Sequence, residues 1–281
     1  VTSKMIYLDN AATTKLHSDV LAAMIPYMIE NYGNAGAPYR MGTCAAKAIA
    51  ASREQVSAMF GSAPSNIIFT SGGSEGNSMV FAGLRRRLAA AGKTHLIVSA
   101  IEHDSVLRAA EALAEDGFSV TYLPADAGGK VSARAVEDAI RENTGLVSVM
   151  YVNNETGAIN DIREIGDVCR VHNVLFHTDC VQAAGQYPID VDRDLIDFAT
   201  VSAHKFHGPK GIGALYVRDP ALLDPLIRGG SAQEFGLRGG TENVPAIVGI
   251  GCAAEIAVRD LRENMAKVST LKQVFYTALL E

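Results

Sequence analysis

Short apolar runs alternate with amphipathic helical stretches along most of the chain, and this alternation restricts the fold more than any other feature. Seven runs, at 67–70, 96–99, 119–123, 146–152, 174–178, 197–201 and 212–217, are rich in Val, Ile, Leu, Phe or Tyr and predict strands. Most are continuously apolar, as strands are when both faces of their sheet are covered. Between them the spacing predicts helices near 43–60, 74–91, 105–116, 132–143 and 163–172. In the first of these, Ala46, Ile49, Val56, Met59 and Phe60 share a face and Gly61 ends the helix. Repeated strand–helix–strand units imply an α/β fold, a mostly parallel seven-stranded sheet with helices on both faces. The gap between 201 and 212 is too short for a crossover helix, so the last two strands are expected to be antiparallel.

Composition removes several function classes. With 281 residues, 48% hydrophobic and 20% charged, the chain is long enough for one large domain with a sizeable core. A net charge of −6 without a basic block argues against nucleic-acid binding. No apolar run reaches the roughly 20 residues a membrane helix needs, and the first ten residues lack the apolar core of a signal peptide. Cys44, Cys169, Cys180 and Cys252 are scattered without CxxC spacing. That pattern gives no metal site and no disulfide framework, and it points to a reducing, cytoplasmic setting.

Three segments are expected: an N-terminal arm at 1–14, a large domain at 15–242 and a long helical segment at 243–281. In the last, Ile247, Ile250, Ala254, Ala257, Leu261, Val268, Leu271 and Phe275 recur about every three to four residues. The stripe runs on uncapped to Glu281, so a further small domain is expected to follow it.

In doubly wound sheets functional groups gather at the C-terminal edge of the strands. The first strand is followed by a glycine loop opening a helix, Ser71 through Asn77, whose Gly73 and Ser74 suit a phosphate. Later strand ends carry Glu102 and His103, then Asn153 and Asn154, then Asp179 with Gln182, then Ser202, His204 and Lys205. Each has an ordinary structural explanation alone: a surface histidine, an Asn-Asn turn, an Asp capping a helix. Together they put a phosphate binder, a flat aromatic, an amide, a carboxylate and a lysine on one edge. Pyridoxal 5'-phosphate uses all five: a lysine for its aldehyde and a carboxylate for its pyridine nitrogen. Asp179 fits the carboxylate role and Lys205 the lysine; Lys210 competes, but it sits among turn residues in Gly208-Pro209-Lys210-Gly211.

The segments IYLDNAATT (6–14), IIFTSGGSEGN (67–77), IEHDSV (101–106), VSVMYVNNETGAIN (147–160), HTDCVQAAG (177–185), SAHKFHGPKGIGALYVR (202–218) and RGGTENVPAIVG (238–249) belong together. The set resembles the cysteine desulfurases of the class V aminotransferase group, in order and over nearly the whole chain. The resemblance implies a homodimeric fold-type I enzyme whose large domain binds pyridoxal 5'-phosphate. Such an enzyme takes sulfur from L-cysteine, leaves L-alanine and feeds iron–sulfur cluster assembly or tRNA thiolation, with a scaffold or sulfur-acceptor protein as partner. It further implies that Lys205 forms the Schiff base, Asp179 pairs with the ring nitrogen and His103 stacks on the ring and moves protons. By the same resemblance Gln182 serves the phenolic oxygen and Asn154 the substrate carboxylate. Gly73, Ser74, Ser202 and His204 hold the phosphate, with Thr241 reaching across from a second subunit.

The chain departs from the pattern in several places. The family's nucleophilic cysteine and carboxylate-binding arginine lie in a C-terminal small domain with no counterpart in this sequence. Cys44, Cys169 and Cys252 fall within helical patterns and are expected to pack as small hydrophobes; Cys180 follows Asp179 near the ring and is the one to test, though packing is expected for it too. Residues 34–39 read Asn-Ala-Gly-Ala-Pro-Tyr where the family usually has Asn-Pro-Ser-Ser and a histidine, Ser74 replaces a threonine and Gly76 a bulkier residue. Two alternatives stay open: another class V enzyme, a selenocysteine lyase or aminotransferase, or a truncated, non-catalytic relative.

Overall fold

The computed structural model describes residues 6–230 and 232–280. In chain order the elements are α1 (Ser18–Ile29), α2 (Arg40–Phe60), β1 (Ile67–Thr70), α3 (Gly73–Ala90), β2 (His95–Ser99), α4 (Asp104–Glu115), β3 (Ser119–Leu123), α5 (Ala133–Ala139), β4 (Thr144–Ser148), α6 (Ile162–Val171), β5 (Leu175–Asp179), β6 (Phe198–Ser202), β7 (Gly213–Val217) and α7 (Val244–Leu280). The seven strands form one sheet in the order β1-β7-β6-β5-β4-β2-β3. Only β7 runs against the others, antiparallel to both β6 and β1, as the short 201–212 gap requires. The C-terminal ends of the other six strands therefore share one edge.

Alternation along each strand separates two cores. On one face Ile68, Leu96, Val98, Leu146, Leu215 and Val217 pack beneath α3 and α4. On the other, Ile67, Phe69, Ile97, Val147, Phe176, Ala214 and Tyr216 meet the layer that includes α2 and α7.

Three expectations are corrected, and one further helix appears. The 146–152 strand ends at Ser148; beyond it the backbone bends so that Val152 bridges to Ile159 and presents the Asn153–Asn154 turn. The helix expected over 132–143 stops at Ala139, because Ile140 is extended (ψ 135°). On α2 it is Ala45, not Ala46, that lies in the core; Ala46 is exposed. Helix α1 was not expected, since its stripe is short and Pro26 interrupts it; only Val20 and Met24 are buried.

The 243–281 segment is one helix from Val244 to Leu280, capped by Asn243, whose Oδ1 accepts from Ala246 N–H at 3.3 Å. Ile247, Ile250, Ala254 and Ala257 are buried, packing against α1 and α2. Val268, Leu271 and Phe275 continue the stripe but are exposed in this chain.

Candidate active site

A cavity of about 540 Å³ opens at the shared strand edge. Its walls include Gly73 and Ser74 after β1, His103 and Ser105 after β2, and Met150, Asn154 and Glu155 after β4. Asp179, Val181 and Gln182 after β5, and Ser202, His204 and Lys205 after β6, complete the strand-end contribution. Asp9, Ala11 and Ala12 of the N-terminal arm cover it.

At one end lies the N-terminus of α3. Its first-turn N–H groups lack helical partners and carry the positive end of the helix dipole. Gly72, at φ 155° and ψ −175°, turns the chain in a region open to glycine. A Cβ on Gly73 would lie 2.8 Å from Val181 Cγ2, and one on Gly76 2.7 Å from Thr200 Cγ2. Glycine at both positions seats the helix directly against the ends of β5 and β6, which accounts for Gly76 in place of a larger residue. Burial opposes ionisation of Glu75, but hydrogen bonds from Arg238 and from Ser71 N–H outweigh it and hold this carboxyl below its usual range.

At the deep end, Asp179 is 3% exposed. Its Oδ1 accepts from Val181 N–H and its Oδ2 from Asn77 Nδ2, both at 2.8 Å. Burial raises its pKa, opposed by these two bonds and by the charges of His103 and Lys205. Asn77 also donates to Ser105 Oγ at 2.9 Å, and that hydroxyl lies 2.8 Å from His103 Nδ1. Ser105 accepts from Asn77 and donates to His103, so a continuous network joins Asp179 to the histidine. His103 also caps α4, its Nδ1 accepting from Ser105 N–H at 3.1 Å. The neutral ring therefore carries its proton on Nε2. Asn77 and Ser105 were not among the residues expected from sequence, although both stand inside the quoted segments.

Lys205 closes the 3-10 turn Ala203–Lys205 that follows β6, and its Nζ donates to Ala11 O. Burial lowers its pKa, against the opposing charges of Asp179 and Asp9. Gln182 Nε2 donates to the same carbonyl at 2.9 Å. Thr14 anchors the arm, its N–H and Oγ1 both donating to His204 O at 2.9 and 2.8 Å. His204 Nδ1 lies 3.1 Å from Thr13 Oγ1, and burial followed by Lys205 and Lys210 lowers its pKa. Asn154 is half-buried, with Nδ2 donating to Glu155 Oε1 at 2.8 Å. Asn153 has a structural task, its Oδ1 accepting from Glu155 N–H and Thr156 N–H to hold the turn.

Thr241 is exposed and is not on the cavity wall of its own chain, and Lys210 is exposed and also off it. Cys180 packs as expected, although it follows Asp179: strand alternation turns it away from the cavity into the opposite core, where it is fully buried and its pKa is pushed well up by burial and by Asp179. Cys169 is also buried, its pKa raised to about 12 by burial. Cys44 and Cys252 are half-buried on helices rather than fully packed. No described cysteine lines the cavity.

The Aminotransferase class-V profile matches residues 6–281. The chain belongs to the class V aminotransferase family, in its cysteine desulfurase group. It is 43% identical to the cysteine desulfurase IscS of Methanosarcina thermophila over 279 residues, 99% of this chain and 69% of that protein. It is 42% identical to the IscS of Dictyoglomus turgidum over 96% of this chain and 68% of that protein. A solved NifS-like protein superposes with a TM-score of 0.95 at 38% identity, covering 99% of this chain and 76% of its own. SspA, solved in complex with cysteine, gives 0.86 at 46% identity over 89% of this chain and 72% of its own.

The family implies pyridoxal phosphate, and the residues present fit it. A glycine cradle at a helix N-terminus suits its phosphate, a buried carboxylate suits a basic ring nitrogen, and a lysine for its aldehyde lines the same cavity. Asn77 Oδ1 is buried beside them without a hydrogen-bond partner among the described residues.

Proposed function

We propose that this chain binds pyridoxal 5'-phosphate and uses it on L-cysteine, removing sulfur and leaving L-alanine. The observation that carries the reading is the lysine at the end of β6 and the buried carboxylate at the end of β5, sharing one cavity with the N-terminus of α3. The bound cofactor supplies an aldehyde that joins amino groups and a protonated ring that accepts electron density.

Gly73, Ser74, Ser202 and His204 hold the phosphate, and Asp179 keeps a proton on the ring nitrogen. Lys205, its pKa lowered by burial, would hold the cofactor's aldehyde and, when free, could act as a base at the substrate Cα. His103 would stack on the ring and could pass protons through Nε2. Gln182 donates to the phenolic oxygen, and Asn154 takes the substrate carboxylate. Thr241, exposed and off the wall of its own cavity, reaches the phosphate of a second copy in a homodimer.

The sulfur-accepting thiol comes from outside these four cysteines, because none lines the cavity and both buried ones are held protonated. The sulfur goes to iron–sulfur cluster assembly or tRNA thiolation through an acceptor protein. Four free cysteines suit the reducing cytoplasm. The domain reading carries over as an arm at 1–14, a cofactor-binding domain at 15–242 and a helical segment at 243–281.

The test is the visible absorption spectrum with added pyridoxal phosphate, beside Lys205→Ala, followed by L-cysteine and an exogenous thiol. A visible band absent from Lys205→Ala, then alanine and sulfide release, is expected. No band refutes the cofactor site; a band with keto-acid formation instead of alanine points to an aminotransferase.

A further inference from the structure

One buried ionisable group off the cavity wall, in a neighbouring pocket behind His103, has no part in the reading above. Glu102 precedes His103 in the β2–α4 loop and is 6% exposed. Its Oε1 accepts from Met150 N–H, just beyond β4, at 2.5 Å. Its Oε2 is buried without a hydrogen-bond partner among the described residues. One residue earlier, Ile101 O accepts from Asn153 Nδ2 at 2.8 Å. Glu102 and Asn153 thus tie the loop carrying His103 to the turn carrying Asn154.

An ionised carboxylate here would leave one buried oxygen with no donor at all, a costly arrangement. The charged group facing it from β5 is Asp179, itself an acid; from beyond β4 it meets the Met150 N–H and shares a pocket with the exposed acid Glu155, and on its own loop His103 and Asp104 are exposed. Burial first, then the charge of Asp179, push the Glu102 carboxyl well above the ordinary range despite the Met150 bond. Asp179 has more support for a charge: two donors, and the nearby Lys205 and His103. Two adjacent buried acids with unequal support divide protons unequally.

We propose that Glu102 is a positioning residue that works as a neutral acid. It holds the His103 loop on the Met150 N–H and carries the proton that leaves Asp179 the single negative charge at the deep end of the cavity. The part concerning Asp179 rests on the function proposed above; the protonation of Glu102 does not.

The experiment compares the parent chain, Glu102→Gln and Glu102→Ala by urea denaturation across pH without cofactor. An acid neutral when folded and ionised when unfolded makes the native state less favoured as pH rises above the usual glutamate value, and glutamine removes that slope. The folding constant of Glu102→Gln relative to the parent is expected to rise by up to about tenfold per pH unit there. Glu102→Ala, which loses the Met150 contact, lies below Glu102→Gln at every pH. A Gln-to-parent ratio independent of pH overturns the proposal. Should Glu102→Gln not fold, the infrared spectrum of the parent decides: a protonated-carboxyl stretch at neutral pH is expected, and its absence overturns the proposal. With pyridoxal phosphate added, the pH titration of the visible band is expected to be unchanged in Glu102→Gln and altered in Asp179→Asn. Equal alteration in both makes Glu102 a charged partner and overturns the proposal. A parent without any band sinks the cofactor reading and leaves the denaturation series to judge Glu102.

Discussion

At the scale of single residues, two neighbours in sequence have opposite fates. Asp179 ends β5 facing the cavity and Cys180 follows it into the opposite core, because successive side chains of an extended chain point to opposite faces. We expect Cys180→Ala to keep both the visible band and sulfur release, while lowering stability by about 1 kcal/mol for the lost packing. Loss of sulfur release with the band intact would make Cys180 the working thiol. Most of the expected site residues line one cavity because the motifs mark strand ends; Thr241 does not. Ser105 and Asn77 were not legible in the sequence, since their value lies in the links His103–Ser105–Asn77–Asp179, which join one loop, two helices and the end of β5.

At the scale of elements, β1 is an edge strand, and its free side is closed by side chains rather than by another strand. Arg53 on α2 donates to Ile67 O at 2.6 Å, while Glu234 accepts from Phe69 N–H at 2.7 Å. The two side chains pair with each other at 2.7 and 2.8 Å, and Arg53 lies between the rings of Phe69 and Phe235. This pair pins the segment before α7 across the sheet edge, with Glu234 and Phe235 held at positive φ of 41° and 57°. Glu234→Ala leaves a buried guanidinium and a strand N–H unpaired, and is expected to cost about 3–5 kcal/mol in urea denaturation. Helix α7 divides differently. Changing Val268, Leu271 and Phe275 each to Lys should alter the stability of this chain by no more than about 0.5 kcal/mol apiece, because these side chains are exposed. A larger loss would show that a second copy covers them under the assay conditions.

At the scale of the whole molecule, the interior contains histidines that stay neutral. His177 is fully buried behind Asp179, between Ser148 Oγ at 2.8 Å and Thr200 Oγ1 at 3.4 Å, and burial lowers its pKa to about 3. His95, between Thr144 and Thr121, is lowered to about 4, also chiefly by burial. Below the usual imidazole value the unfolded chain takes up protons that the folded chain refuses, so stability falls as pH drops from there toward these values. The buried acids Glu102 and Asp179 act in the other direction, their contribution lost as pH rises above the ordinary carboxylate range. Replacing His177 with Gln is expected to reduce the stability lost between pH 7 and about pH 5 by on the order of 2 kcal/mol. An unchanged acid limb would mean that His177 is protonated in the native state. The sequence by itself determined the layered α/β architecture, the reversed last strand and most of the cavity wall, because strand periodicity and parallel crossovers bring strand ends to one edge. Only the tertiary structure decided which face Cys180 takes, that Glu102 is buried with half its carboxyl unpaired, and that Arg53 meets Glu234 across 181 positions. Those outcomes depend on side chains from distant segments sharing one dry space, where burial and the available partners set charge and orientation.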